Sequence, residues 1–247
     1  MKAIEAKVVV LGSQGVGKTS LVTRYVTNVL AKEIGPTIGA SFSTCRLFLD
    51  DVKVKLLLWD TAGQERYKAM APMYYRNSNA AILVFDVAQY STFDDLKMWI
   101  QELQRNVTDP IVLILVGNKL DLEENRAVPR DEAYQFALKI GAKYFETSAM
   151  QEQGIEQVFL ATAVGLINLS KEKKCITLRR YESDDSVTAY TSAGLVNGYA
   201  YHLPSVHDGI PVENHIKAND VGHLERGPWS IDNIAHGDAE TSWWCCY

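Results

Sequence analysis

Residues 8–20 read VVVLGSQGVGKTS: a β-branched apolar run, a glycine-rich turn, then the start of an amphipathic segment. The turn carries Gly12-x-x-x-x-Gly17-Lys18-Thr19 between a strand and a helix, which is the full phosphate-binding loop pattern in its proper context. Glycines let such a loop wrap with its amide N–H groups pointing inward, and the helix behind it adds the positive end of its dipole. The amides of Gly15, Val16, Gly17, Lys18, Thr19 and Ser20 form the expected cradle. Lys18 is placed to neutralise β and γ phosphates, and Thr19 to ligate Mg²⁺.

Outward from this loop the chain alternates short apolar runs with amphipathic stretches as far as about Ser170. KVVVLG, VKLLLWD, AAILVFD and IVLILVG read as buried strands, and helical spacing follows each of them. Alternation of this kind predicts an α/β fold, a mostly parallel sheet with helices on both faces. Asp50-Asp51, between STCRLFL and VKVKLLLW, reads as a turn joining two antiparallel strands, so one edge strand is antiparallel. The 247 residues carry a net charge of −5 and are 47% hydrophobic. That supports a sizeable core and argues against nucleic-acid binding by bulk charge. MKAIEAKVVVLG lacks the apolar region of a signal peptide, and no later run approaches about 18 apolar residues, so a cytosolic pool is expected.

The phosphate loop alone does not distinguish ATP from GTP. LLLWDTAGQE ends a strand on Asp60, where a carboxylate can hold a Mg²⁺-bound water. Gly63 can offer its amide to a γ-phosphate, and Gln64 stands at the water-positioning place. GPTIGASF places Thr37 where its hydroxyl can reach Mg²⁺ only while a γ-phosphate is present. LVGNKLDL sets Asn118, Lys119 and Asp121 after an apolar strand, at the carboxyl edge where ligands bind in α/β sheets. Guanine offers two neighbouring donors that one carboxylate can accept together, and adenine offers no such pair, so Asp121 argues for GTP. ETSAM then supplies Ser148 to orient Asp121 and the Ala149 amide to meet the guanine carbonyl. Asn118 and Lys119 are expected to tie the base loop to the phosphate loop, the lysine stem covering one purine face.

With these elements together, residues 7 to about 170 resemble a small GTPase of the Ras superfamily, and most closely the Rab family, which implies a P-loop NTPase small G domain whose sheet has six strands. TIGASF, KLLLWDTAGQERY and YYRNSNAA look like that family's characteristic segments. The resemblance places Phe42, Trp59 and Tyr74 at its effector-binding aromatic triad. APMYYR, WIQELQRN and ENRAV are most similar to the early-endosomal branch. By resemblance, GTP orders the loops around Thr37 and Gly63 and hydrolysis releases them, with Mg²⁺ as cofactor. Gln64 orients water, an activating protein supplies an arginine finger, and an exchange factor reloads the protein. A GDP-dissociation inhibitor, a prenylation escort protein and effectors are the other implied partners. The implied place is the cytoplasmic face of endomembranes, early endosomes first.

Three residues depart from the family pattern. Gln14 stands where Rabs commonly carry a small residue; it is expected to slow hydrolysis if its amide reaches the γ-phosphate, and to be harmless if it faces solvent. Leu30 stands where many relatives put an aromatic against guanine, at an expected cost of about 1 kcal/mol. Leu30→Phe should accordingly slow GDP release about fivefold, measured with a fluorescent GDP analogue; an unchanged rate would remove Leu30 from the base site. Met150 replaces the usual lysine after Ser-Ala, and its flexible thioether can still cover the base.

Beyond Ser170 the chain turns polar and holds all five histidines, at spacings that fit no ordinary zinc motif. Residues 171–247 read as a disordered tail. Within it, KEKKCITLRR places cations at Lys171, Lys173, Lys174, Arg179 and Arg180, read as finishing the last helix. They stand about 40–50 Å of flexible chain from the terminus, too far to share a membrane surface with it. The chain ends SWWCCY. Adjacent cysteines make neither an unstrained disulfide nor a zinc site, and the Cys-a-a-X rule fails because Trp244 is fourth from the end. Rabs resemble this chain in ending on paired cysteines, which makes Cys245 and Cys246 the expected prenylation sites, with Trp243 and Trp244 suited to the membrane interface.

Overall fold

The computed structural model describes residues 2–29, 35–49, 51–63, 71–171 and 179–182, with backbone alone at 71–72 and 179–182. The elements run β1 (Lys2–Leu11), α1 (Lys18–Thr27), β2 (Ala40–Leu49), β3 (Val52–Thr61), α2 (Ala71–Tyr75), β4 (Ala80–Asp86), α3 (Tyr90–Asp94) and α4 (Leu96–Asn106). β5 (Val112–Asn118), a 3₁₀ turn (Leu120–Asn125), α5 (Arg130–Lys139), β6 (Lys143–Thr147), α6 (Ile155–Lys171) and β7 (Arg179–Glu182) complete them.

The strand order is β2-β3-β1-β4-β5-β6, with β7 also paired to β1. β3, β1, β4, β5 and β6 are parallel, and β2 runs antiparallel to β3 with Leu49 opposite Val52. These six are the expected sheet, and β7 adds a seventh strand, antiparallel to β1. Alternation along each strand divides the core into two. Val8 and Val10 of β1 join Leu21 of α1 and Phe159 of α6 on one face. Val9 and Leu11 join Leu96 and Leu103 of α4 and Ala133 and Ala137 of α5 on the other. β4 is buried at all seven positions, as a central parallel strand covered on both faces must be. No helix among the described residues is long and apolar enough to cross a membrane.

Two boundaries differ from the sequence reading. β1 starts at Lys2, five residues before the apolar run, because β3 extends to Val52 and continues the pairing past Lys7 to Lys2. Ala3, Ile4 and Ala6 are buried there. At the other end, α6 stops at Lys171, and Arg179 and Arg180 lie in β7 opposite Glu5 and Ile4. These two arginines therefore do not finish the helix. β1 reaches beyond the start of β4, whose pairing begins only at Val8 opposite Ala80, and β7 takes the free edge that this leaves. Lys173 and Lys174, the five histidines and the terminal SWWCCY lie outside the described residues.

The parallel strands all end on one side, and the order reverses where β1 meets β4. Loops leaving that edge diverge and open a crevice, the usual ligand position in such sheets.

Candidate functional site

The loop after β1 turns into α1 with glycine where side chains have no room. A Cβ on Gly12 (φ +144°) would lie 2.1 Å from the Val84 carbonyl oxygen, and one on Gly17 (φ +93°) would lie 2.3 Å from Nδ2 of Asn118. Both glycines are thus required by close approach as well as by backbone conformation. The loop borders a cavity of about 230 Å³ lined by Gln14, Gly15, Gly17, Lys18, Thr19, Ser20, Gly35, Pro36, Thr37 and Gly63. Sequence reading placed most of these residues at the phosphate end, and the fold brings them together from three separate segments.

Lys18 is buried and donates to the Gly12 carbonyl at 2.9 Å and the Ser13 carbonyl at 2.8 Å. Burial lowers its pKa to about 8, an effect that the nearby Asp60 opposes. Two carbonyl dipoles thus hold the ammonium in place at the cavity wall. A phosphate there would meet a cation whose orientation is already set.

Thr19 Oγ1 donates to Asp60 Oδ2 at 2.6 Å and lies 2.8 Å from Thr37 Oγ1. Ser41 also donates to Asp60 Oδ2, at 3.3 Å. The other carboxylate oxygen, Oδ1, is buried without a hydrogen-bond partner. Burial raises the Asp60 pKa against the opposing effects of Thr19, Lys18 and Ser41. A buried carboxylate with one unsatisfied oxygen beside two hydroxyls is a donor set of hard oxygens, the kind that suits Mg²⁺. The residues present therefore fit the cation expected from sequence.

At the base end, Asn118 is buried, donates from Nδ2 to the Val16 carbonyl at 2.8 Å and accepts from Thr147 Oγ1 at 2.9 Å. One side chain thus locks the base loop to the phosphate loop. Lys119 does something other than expected. It sits in the left-handed region (φ 69°) and its Nζ pairs with Asp86 Oδ2 at 2.7 Å. Asp86, at the end of β4, is buried and needs a cation, so the tie to the phosphate loop rests on Asn118. Ser148 Oγ donates to Asp121 Oδ1, as expected, and the Gln151 amide donates back to Ser148 Oγ at 3.1 Å. Ala149 is buried, whereas Met150 is 65% exposed.

Sequence reading missed the residues that brace this end. Arg126 bonds Glu146 at 2.9 Å, and Tyr144 donates its hydroxyl to the same Glu146 oxygen at 2.7 Å. Arg126 also pairs with Glu123 at 2.6 Å, so the 3₁₀ turn that carries Asp121 is fastened to β6 just before Thr147 and Ser148. Glu146 was visible only as the first letter of ETSAM. Nothing in the sequence paired it with Arg126.

Phe42, Trp59 and Tyr74 do converge. The Phe42 and Trp59 rings meet edge to face at 5.3 Å between centroids, and Trp59 lies 6.2 Å from Tyr74. Lys7 Nζ sits 5.0 Å from the Trp59 ring centre and donates to the Arg76 carbonyl at 2.8 Å. Around the triad, Phe42 is 55%, Ile38 78% and Met73 73% exposed. This apolar patch adjoins Thr37 and Gly63, so a partner seated on it would read the state of the phosphate end. Gln64 and Leu30 lie outside the described residues.

The profile of the Ras family matches residues 7–168. Among curated proteins, the chain is 47% identical to the Ras-related protein RabJ of Dictyostelium discoideum over 165 residues, which are 67% of this chain and 64% of that one. It is 48% identical to mouse Ras-related protein Rab-21 over 159 residues, 64% of this chain and 72% of that one. It is also 48% identical to the GTP-binding protein ypt5 of Schizosaccharomyces pombe over 162 residues, covering 65% of this chain and 77% of that one. The match thus spans a little under two thirds of RabJ and somewhat more of the other two.

Proposed function

This chain belongs to the Ras family, in its Rab branch of small GTPases, and from that premise we propose a membrane-anchored guanine-nucleotide switch in endosomal trafficking. The observation that carries the reading is the joining of the two half-sites, with Asn118 bonded to the Val16 carbonyl and Ser148 to Asp121. One nucleotide then spans both ends. Guanine is recognised by Asp121, with Ser148, the Ala149 amide, Asn118, Lys119 and Met150 around it. The phosphates are held by the amides of Gly15 through Ser20 and by Lys18.

Mg²⁺, held by Thr19, Asp60 and Thr37, would supply charge neutralisation at the β and γ phosphates. The protein's own part is positional. Gly63 offers its amide to the γ-phosphate, and Gln64 orients the water that attacks it, giving GDP and phosphate. Thr37 and Gly63 shift with the nucleotide state, and the Phe42–Trp59–Tyr74 patch beside them presents that state to effectors. An exchange factor, an activating protein, a GDP-dissociation inhibitor and a prenylation escort complete the cycle. The test is the nucleotide that accompanies the purified full chain, identified by ion-exchange chromatography, together with release of phosphate from GTP and from ATP. Bound adenine nucleotide, or turnover of ATP at the GTP rate, would overturn the reading.

A second reading, a mainly GTP-bound module that recruits effectors and hydrolyses poorly, is favoured by one observation, the position of Gln14 on the cavity lining. The ratio of GTP to GDP on the protein in cells separates the two: mostly GTP supports the module, a regulated GDP fraction the switch.

The membrane part rests on Cys245 and Cys246. Two prenyl chains meet the two-signal requirement for stable anchoring, and a single chain binds marginally. Cys245→Ser/Cys246→Ser is expected to move the protein almost wholly into the supernatant of fractionated cells. Undiminished sedimentation with membranes would sink this anchor.

A further inference from the structure

The two ends of the nucleotide cleft stand on different elements, α1 behind the phosphate loop and the turn after Ser148 behind the base. Asn118 joins them from inside. A second tie joins them from outside. Arg24, within α1, donates from Nη2 to Glu152 Oε2 at 2.5 Å, across 128 residues of sequence. Its Nη1 reaches the carbonyl of Asn28, the C-cap of the same helix, at 3.4 Å, and its Nε is buried without a hydrogen-bond partner. The arginine side chain is only 18% exposed and the glutamate 51%. A largely buried cation therefore has its carboxylate on the base-recognition turn.

The backbone of that turn is unusual. Glu152 has φ 60°, a left-handed conformation that suits Gly, Asn or Asp far better than glutamate. Gly154, two residues on, also has positive φ, and there a Cβ would lie 2.1 Å from the Glu146 carbonyl oxygen, so glycine is required. At 152 the chain instead carries a long acidic side chain in a disfavoured conformation, and its carboxylate lands on Arg24. An outlier of this kind beside a binding site licenses an inference to function.

The turn is closed by reciprocal backbone bonds of 3.0 Å between Ser148 and Gln153, and by the Gln151 amide on Ser148 Oγ. The same oxygen donates to Asp121. Shifting the turn would therefore shift the group that orients the base-recognising carboxylate.

We propose that the Arg24–Glu152 pair is a latch that positions the base-recognition turn against the phosphate-binding helix and sets the rate of nucleotide release. The proposal rests on the guanine-nucleotide reading above. Both residues are positioning residues, acting through Ser148 and Asp121. Because the pair is partly exposed, its effect on release is several-fold and falls as salt rises.

The test is release of a fluorescent GDP analogue from the full-length protein, with melting temperature at saturating GDP measured alongside. Glu152→Asn removes the charge and suits the left-handed backbone. It is expected to release GDP about 2- to 5-fold faster with an unchanged or higher melting temperature. Arg24→Glu and Glu152→Arg should each accelerate release, and the double reversal should return it toward the parental rate. Added salt should speed release more in the parent than in Glu152→Asn. A parental release rate in Glu152→Asn, or a double reversal no slower than the single ones, would overturn the latch. A parent protein that neither carries nor takes up guanine nucleotide would overturn the underlying functional reading instead.

Discussion

Asp121→Asn is expected to lower GTP and GDP affinity by about 10⁴-fold and to create binding of xanthine nucleotides, measured by competition against a fluorescent nucleotide. The carboxylate can accept the ring N–H and the exocyclic amine of guanine together, and Ser148 Oγ already holds one of its oxygens in place. An amide replaces one acceptor with an N–H donor, which then faces the guanine amine donor to donor. Xanthine carries a carbonyl at that position, so the same amide becomes complementary to it. Ser148→Ala should cost less, about 10-fold, because it frees the carboxylate without reversing its polarity. Parental GTP affinity in Asp121→Asn would remove Asp121 from base recognition. Loss of all nucleotide binding with a collapsed melting temperature would show instead that the residue holds the fold.

Most of the fold and the site was legible because their signals are local. A central parallel strand is apolar on both faces, so AAILVFD and IVLILVG announce themselves. The phosphate loop, LWDTAG, NKLD and TSA each hold their chemistry within a few consecutive residues, since each is a loop leaving one sheet edge. The missed features are pairings between distant segments. Arg126 with Glu146 and Arg24 with Glu152 are ordinary surface charges until the fold brings them together. Lys119 has a buried acid, Asp86, within reach, and only the pairing of β4 with β5 reveals it. The start of β1 was missed because Lys2 and Glu5 interrupt the apolar residues there. β7 is four residues long and polar, too short for any periodicity, and only the edge left free along β1 gives it a partner.

Gln14→Ser is expected to raise single-turnover GTP hydrolysis by up to about 10²-fold, with a larger gain in the presence of an activating protein than without one. The sequence left two readings of Gln14, one facing the γ-phosphate and one facing solvent. Its side chain is exposed, yet the residue borders the cavity together with Thr37 and Gly63. Its neighbourhood is tight. A Cβ on Gly63 would lie 2.5 Å from the Gln14 amide nitrogen and 2.6 Å from Lys18 Nζ, so the phosphate loop and the segment leading to Gln64 touch backbone to backbone. Ser13 is held from the other side, its Oγ donating to Asp95 Oδ2 at 2.6 Å, which limits how far the loop can retreat. A long amide at position 14 that turned into the cavity would compete for space beside Gly63 with the water that Gln64 would orient and with any arginine supplied in trans. Displacing that water by about 1 Å is enough to account for a rate change of this size. On the proposed reading the amides and Lys18 hold the phosphates in the ground state, so GTP affinity should stay within a fewfold of the parent. Equal hydrolysis by parent and Gln14→Ser, with and without activating protein, would assign Gln14 to the solvent and leave the protein an ordinary timed switch. Acceleration confined to the stimulated reaction would place the obstruction on the arginine's path and leave the water undisturbed.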